Sequence, residues 1–457
     1  MSSFAAEKLA TWTGGSWTRL PGAVITGFNQ DTRTLSAGQV FVALRTDRRD
    51  GHDFLNEAQQ GGAAAALVGR EVAGATLPQL ITTGPLGALQ RIAREHRREF
   101  HGTVVGVTGS VGKTSTKDLL ALLLGGSPDV LATEGNLNNH IGVPLTLTRL
   151  AASHRAAVVE AGISLPGEMA GLAEMIEPDH SLVTLVGPAH LEKLGSLAGV
   201  AAEKSRLPAA NRPGGVAVFP VSCWAHEPFR VLPNPLVLVP EGEAPALAGA
   251  RTVKFSVLHR PDLTEVTLDG RRRFKLRRVS AGMAQNAALA LAQASELGVK
   301  DAVLQARLEN WQPSKWRGEL RVSGEATVYC DFYNANPASM ADAIDAFTGA
   351  VGGDRPRLYV LGSMEELGAD SASYHRQLGR LLHLRRGDFL FALGSQAAAL
   401  REGLLENGND PAQVAVVTDL APVRERLAGF KGAAFLKGSR RYQLETVLDP
   451  HAPVHAH

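Results

Sequence analysis

Thr108-Gly-Ser-Val-Gly-Lys-Thr-Ser-Thr116 follows the apolar run Val104-Val105-Gly106-Val107 and opens a helical pattern from Asp118 to Leu124. Strand, glycine-rich turn and helix in that order make a phosphate cradle. Gly109 and Gly112 let backbone N–H groups turn inward, Lys113 brings a point charge to β- and γ-phosphates, and the Thr114 hydroxyl suits Mg²⁺. Thr108, Ser110, Val111 and Ser115 complete the expected nucleotide contacts. A full P-loop would place glycine at Val107, so this is the shorter form: glycine, two residues, then Gly-Lys-Thr. The stretch implies an α/β fold with a nucleoside triphosphate site, for ATP or GTP.

The rest of the 457-residue chain has room for about three units, each with its own core. Hydrophobic content of 44% and charged content of 20% belong to an ordinary globular protein, and a net charge of +2 offers no broad surface for nucleic acid or acidic membrane. The one basic run, Arg271 to Arg278, alternates with apolar residues and reads as a solvated strand or hairpin. Cys223 and Cys330 alone exclude a disulfide framework and suit a reducing cytoplasm. No signal peptide and no apolar run of membrane-spanning length is read, so a soluble cytoplasmic protein is expected.

Residues 1–98 hold short strands and an Ala/Gly-rich helix around Ala58 to Ala66, with a charged helix from Leu89 to Phe100 leading onward. Residues 99–312 alternate strand and helix, the pattern of a parallel sheet covered by helices. There Ala156 to Val159 is a strand ending in Glu160, Pro166 to Glu177 a helix, and Leu182 to Val186 a strand with His190 just beyond it. Residues 313–457 alternate again, with strands at Thr327–Cys330, Leu358–Leu361, Phe389–Leu393, Val414–Val417 and Ala434–Leu436. Helices at Ala338–Phe347, Tyr374–Leu384 and Gln396–Leu404 make this a small doubly wound domain. The tail His451 to His457 reads as a frayed end.

Open parallel sheets bind ligands at the carboxyl ends of their strands, which places Glu160 and His190 beside the phosphate loop. A carboxylate and an imidazole there are natural Mg²⁺ ligands or water-positioning groups. Asp331 repeats the logic in the last unit: it can accept from a ribose, while Asn334 and Asn336 after Tyr333 suit a small polar substrate. An equally balanced reading makes Tyr333-Asn-Ala-Asn-Pro337 a turn whose proline starts a helix.

These motifs in this order resemble the Mur ligase family, the ATP-dependent amide-bond enzymes of peptidoglycan precursor synthesis. The resemblance is carried by Asp31-Thr-Arg33, Gly38 to Leu44, Asp50-Gly-His-Asp53, Thr108 to Thr116 and Asn136-Leu-Asn-Asn-His-Ile-Gly-Val-Pro144. It continues through Glu160-Ala-Gly162, Gly187-Pro-Ala-His190, Lys204, Trp316-Arg-Gly-Glu319, Asp331 to Pro337 and Lys437-Gly-Ser-Arg440. The Tyr-Asn-Ala-Asn-Pro string and the N-terminal block favour the branch that adds D-alanyl-D-alanine to UDP-N-acetylmuramoyl-tripeptide.

The resemblance implies three domains: an N-terminal one gripping the UDP precursor, a central P-loop ATPase, and a C-terminal Rossmann-like one bringing the amine. It implies that Asp31, Thr32, Arg33, Asp50, Gly51 and His52 meet the precursor, and Tyr333, Asn334 and Asn336 a substrate. Lys113 and Thr114 then hold phosphates and Mg²⁺; Glu160 and His190 match metal ligands, and Asn139 lies near the γ-phosphate. Asn286, Arg317 and Asp331 match nucleotide contacts. Lys204 matches a lysine that carries a CO₂-derived carbamate and so joins the metal set, although bare sequence reads it as a solvent-facing helix residue. The implied chemistry is attack of the tripeptide carboxylate on the γ-phosphate, then of the dipeptide amine on the acyl phosphate, by a monomeric enzyme.

The chain departs from the family pattern at Gly282 and Met283, where a His-Asn pair is usual, at Ser363, where an aspartate is usual, and at Leu185, where an asparagine is common. Altered adenine contacts are therefore expected. Pro208 to Val279 carries little of the family pattern. Two other readings stand beside the ligase: a sister ligase such as a folylpolyglutamate-type enzyme with another acceptor, and a degenerate binder of UDP precursors.

Overall fold

The computed structural model describes residues 3–351 and 355–449, so the histidine tail lies outside the described residues. Three sheets succeed one another along the chain. In the first, the strands lie in the order Ser16–Trp17, Gln79–Ile81, Ala65–Val68, Gln39–Val42 and Gly27–Asn29, and all but the first pair are parallel. The Ala58 to Ala66 run is not one helix. A helix Leu55–Gln60 stops at Gly61 and Gly62, and the chain re-enters the sheet as Ala65–Val68. Gly62 takes φ +85°, a turn glycine supplies at little cost, and full burial of Ala65 to Val68 outweighs alanine's helix preference.

The helix Pro85–Arg98 is a joint rather than a tether. Leu89 and Ile92 enter the first core, while Ala93 packs with Val104 and Leu172 of the central unit. The fully buried Arg97 donates to the Ile176 carbonyl at 3.0 Å and to Asp179 at 2.9 Å, satisfying its guanidinium where water is excluded.

The central sheet has nine strands. Thr103–Thr108 lies between Ala156–Glu160 and His180–Val183, with Val107 opposite Glu160 and Thr108 opposite Val183. The three strand ends are thereby level, and the phosphate loop emerges among them. Strand His180–Val183 ends earlier than its apolar run suggests, because Thr184 and Leu185 leave the ladder to hold that loop. The Leu185 carbonyl accepts from Ser110 N, and the Thr184 hydroxyl donates to the Val111 carbonyl at 2.5 Å. At the far edge Arg251–His259, Leu263–Leu268 and Arg272–Arg277 form an antiparallel extension. The basic run is its outer strand, with Phe274 and Leu276 buried and the alternate cations outward.

The last sheet runs Glu319–Ser323, Ala326–Cys330, Ala433–Lys437, Arg357–Gly362, Phe389–Leu393 and Val414–Val417, parallel except for its first pair. Two elements here are absent from the sequence reading: strand Glu319–Ser323 and helix Ala421–Ala428. In the strand the alternation is inverted, with Leu320 and Val322 exposed at 47% and 81%. Periodicity alone cannot flag such an edge. The helix predicted at Tyr374–Leu384 runs instead from Ser371 to Leu381, because Leu382 is already extended.

Candidate active site

A cavity of 890 Å³ opens between the central and last units, lined from one side by the phosphate loop and from the other by the strand ends around Asp331. Two loop glycines are required by space as well as by dihedral angle. Gly109 takes φ +146° and a Cβ there would lie 1.8 Å from Thr184 Oγ1; Gly112 takes φ +78° and a Cβ would lie 2.2 Å from Asn286 Nδ2. Asn286 belongs to the helix Ala281–Glu296, so this helix seats directly on the loop.

Not every residue of the loop is free to bind. Thr108 is buried at the strand end and donates its hydroxyl to the Ala161 carbonyl at 2.8 Å. It is absent from the cavity wall, so it holds the loop rather than a nucleotide. The Ser110 hydroxyl donates to the Gly187 carbonyl and accepts from Gly187 N, tying the loop to the turn before His190. Val111, Lys113, Thr114 and Ser115 face the cavity. Lys113 Nζ donates to the Gly109 carbonyl at 3.0 Å, and burial pushes its ammonium down, an effect opposed by the nearby Glu160 carboxylate.

Glu160 is 1% exposed, against the solvated-loop behaviour usual for a glutamate after a strand. Its Oε1 accepts from Asn138 Nδ2 at 2.7 Å, its backbone N donates to Thr133 Oγ1, and Oε2 is buried with no partner among the described residues. A buried carboxylate oxygen without a donor is costly unless a cation completes it. The chemistry therefore fits Mg²⁺, with the Thr114 hydroxyl on the same wall. Among the described residues no three His, Cys, Asp or Glu side chains converge as a metal cluster.

The other two expected metal ligands stand differently. His190 lines the cavity at φ +52°, and its Nδ1 pairs with the Glu366 carboxylate from the last unit, which lowers the Glu366 carboxyl. Lys204 corrects the bare-sequence reading: it is 1% exposed in the helix Leu197–Ala209 and is not part of the cavity lining. Desolvation first, then the charge of Lys113, push its ammonium well below the usual lysine value.

Arg317 reaches across from the junction of the last two units. Its Nη2 donates to Thr114 Oγ1 at 3.0 Å, and the guanidinium carbon lies 4.0 Å over the Tyr333 ring. Asp331 accepts from Lys437 Nζ at 2.7 Å, both at the ends of adjacent strands. Asn336 accepts from Ser339 N while Ser339 Oγ accepts from Asn336 N, a capping box for helix Pro337–Ala350. Thus the turn-and-cap reading of this string holds for Asn336, although Tyr333, Asn334 and Asn336 still line the cavity. Asn139 likewise spends its carbonyl on Ile141 N and Gly142 N.

The N-terminal residues do not reach this cavity. Asp31 and Arg33 form a paired fork, which holds the Asp31 carboxyl low. His52 is buried with both nitrogens committed: Nε2 accepts from Gly69 N, so Nδ1 carries the proton toward Asp50 at 2.5 Å. A Cβ on Gly51 would lie 2.6 Å from the Leu44 carbonyl, so this residue closes the turn. Thr32 sits in the loop between Asp31 and Arg33. Both loops lie just past the carboxyl ends of adjacent parallel strands, the edge where open sheets bind ligands.

Sequence reasoning passed over Thr133 and gave no role to Asn138, Glu366 or Lys437, although Asn138 and Lys437 stand in motifs it singled out. Asn138 stands next to the residue chosen from the same motif, but Glu366 is 176 positions from His190, and nothing in its own stretch points to that partner. Asn138→Leu should leave the fold intact and lower Mg²⁺ affinity or turnover about 10–100-fold, as loss of the group orienting a metal ligand does. A Mg²⁺ titration of turnover that is unchanged would show that Glu160 needs no such support.

Fold and site together define a nucleotide-phosphate-binding protein in which a final α/β unit closes over a P-loop. Residues 107–232 match the Mur ligase middle domain, and residues 316–439 match the Mur ligase glutamate ligase domain. The chain is 32% identical to UDP-N-acetylmuramoyl-tripeptide--D-alanyl-D-alanine ligase of Escherichia coli over 94% of each chain, and 31% identical to the ligase of that name from Haemophilus influenzae over 92% of each. Among solved structures it is similar to MurF from Acinetobacter baumannii, with a TM-score of 0.84 at 27% identity, covering 98% of this chain and 99% of that one. It is also similar to the MurF ligase of Thermotoga maritima in complex with ADP, with a TM-score of 0.78 at 27% identity over 93% and 96%. The chain belongs to the Mur ligase family.

Proposed function

We propose that the protein joins D-alanyl-D-alanine to UDP-N-acetylmuramoyl-tripeptide at the expense of ATP, releasing ADP and phosphate. The carrying observation is the buried Glu160 oxygen without a donor among the described residues, set beside Lys113 and Thr114 under the reach of Arg317. A binder that merely holds a UDP precursor has no use for that arrangement. Likeness to ligases of this name extends over more than nine-tenths of the chain, including the N-terminal block that a folate enzyme lacks.

In this reading the phosphate-loop amides and Lys113 hold the nucleotide phosphates, and Glu160 with Thr114 holds Mg²⁺, which would offset charge on the transferring phosphoryl group. The tripeptide carboxylate attacks the γ-phosphorus and ADP leaves. The dipeptide amine then attacks the acyl carbon, losing a proton as phosphate departs. Lys113 and Arg317 balance the anion, and Arg317 must turn from Thr114 toward the phosphates to do so. Asp331 and Lys437 set the floor of the site for the ribose. Lys204, a buried lysine whose surroundings favour the neutral amine, would carry a carbamate whose anion would join the metal ligands. Asp31 to Arg33 and Asp50 to His52 shape the loops that receive the UDP end. Cys223 and Cys330, both free and buried, accord with a cytoplasmic site of action; no helix among the described residues is long and apolar enough to cross a membrane.

The test is phosphate release from ATP with Mg²⁺, omitting one component at a time. Release that requires both the UDP-tripeptide and D-alanyl-D-alanine, with a UDP-pentapeptide detected by mass, is the expected result. Retained precursor binding without release would assign the chain to the degenerate binders.

A further inference from the structure

Gly282 opens the helix Ala281–Glu296 one turn before Asn286, and so lies about 6 Å farther along the axis from the phosphate loop. Its N–H donates to Asp342 Oδ1 at 2.7 Å, from the helix Pro337–Ala350 of the last unit. A Cβ on Gly282 would lie 2.7 Å from Asp342 Oδ2 and 3.0 Å from its Cγ. The carboxylate therefore fills the volume that any side chain at 282 would need. Where the family pattern carries a histidine, this chain has a glycine with an acid from the facing unit in the vacated space.

Asp342 is no ordinary surface acid. It lines the same 890 Å³ cavity as the phosphate loop, beside Met283, Ala343 and Ala346. Burial pushes its carboxyl up, while bonds from Ser280 and Gly282 pull it back. A nucleotide whose phosphates rest on the loop has its base farther along this cavity. Met283 and the two alanines line that stretch with apolar surface against which a planar ring can pack. The carboxylate edge on that stretch then meets the rim of the ring.

We propose that Asp342, seated by Gly282, is the residue that reads the nucleotide base: its carboxylate edge accepts from the amino group of a 6-aminopurine and repels the carbonyl of a 6-oxopurine. The proposal rests on the ATP-dependent reading above and names the specificity element within it.

ATP and ITP differ at C6, amino against carbonyl, and at N1, which carries a proton only in ITP, so the test compares them in turnover, compares ADP with IDP in calorimetric binding, and adds the purine riboside nucleotides, which lack only the amino group, as the control for N1. The native enzyme should favour the amino form about tenfold or more in both. Asp342→Asn should bring both ratios near one, because an amide can present either its N–H₂ or its carbonyl. Gly282→Ala provides a second variant: its backbone is not left-handed, so the fold should tolerate the methyl, which displaces the carboxylate and lowers the ratio likewise. A native ratio near one overturns the proposal. So does an Asp342→Asn enzyme weakened equally toward both nucleotides, which would make the contact a latch between units and nothing more. A protein that turns over neither nucleotide but binds ADP over IDP, with the preference lost in Asp342→Asn, would refute the ligase reading and uphold this one.

Discussion

Lys113→Ala should lower phosphate release about a thousandfold, a loss of about 4 kcal/mol of transition-state stabilisation, while UDP-precursor affinity changes little. The size reflects where the ammonium sits. It is half-buried, it bonds to the Gly109 carbonyl of its own loop, and its desolvation is opposed by Glu160. In such low-dielectric surroundings a cation acts on developing phosphate charge with little screening. The loops proposed for the UDP end lie outside the cavity that holds Lys113, which is why binding and turnover should separate. Calorimetry with the UDP-tripeptide beside a phosphate-release assay checks this. Equal loss of both in a folded variant would contradict the division of labour between the units.

Lys204→Ala should be nearly inactive and partly rescued by short carboxylic acids, which supply the anion that a carbamate would carry. Carbamate formation requires the neutral amine, and full desolvation together with the charge of Lys113 favours that form. The same shift has a signature in stability. Between the depressed native value and the ordinary 10.5 the unfolded chain holds a proton that the native state has released. Raising the pH through that window therefore stabilises the fold through this residue. Lys204→Met should flatten that part of the pH–stability curve and, having no ammonium to desolvate, should unfold no more readily than the native protein at neutral pH. Thermal melts across the window check the slope. A variant with native activity, or one whose curve keeps the full slope, would return Lys204 to a structural role.

The phosphate loop was legible because its chemistry is local. Gly109, Gly112, Lys113 and Thr114 act within one turn of chain, and both the strand before them and the helix after them declare themselves by apolar pattern. Glu160 and His190 were legible for a related reason, since parallel strands end level and bring the residues at and beyond their carboxyl ends together. The N-terminal alanine run misled because alanine serves a helix and a fully buried strand equally well. The edge strand Glu319–Ser323 was missed because its apolar residues face outward.

Residue order along one segment can therefore encode the phosphate cradle, the strand–helix rhythm of the units and the family to which the motifs belong. Whether a charged group is solvated, and which group stands opposite it, depends on segments that meet only after the units have packed. Nothing near Lys204 in the chain foretells its burial, and nothing near His190 foretells Glu366. Gly282 reads as a lost side chain until Asp342, 60 positions on, is seen in its place. Such pairings are set by helices and loops of different segments packing together, and their energies come from excluded water and the distance between charges.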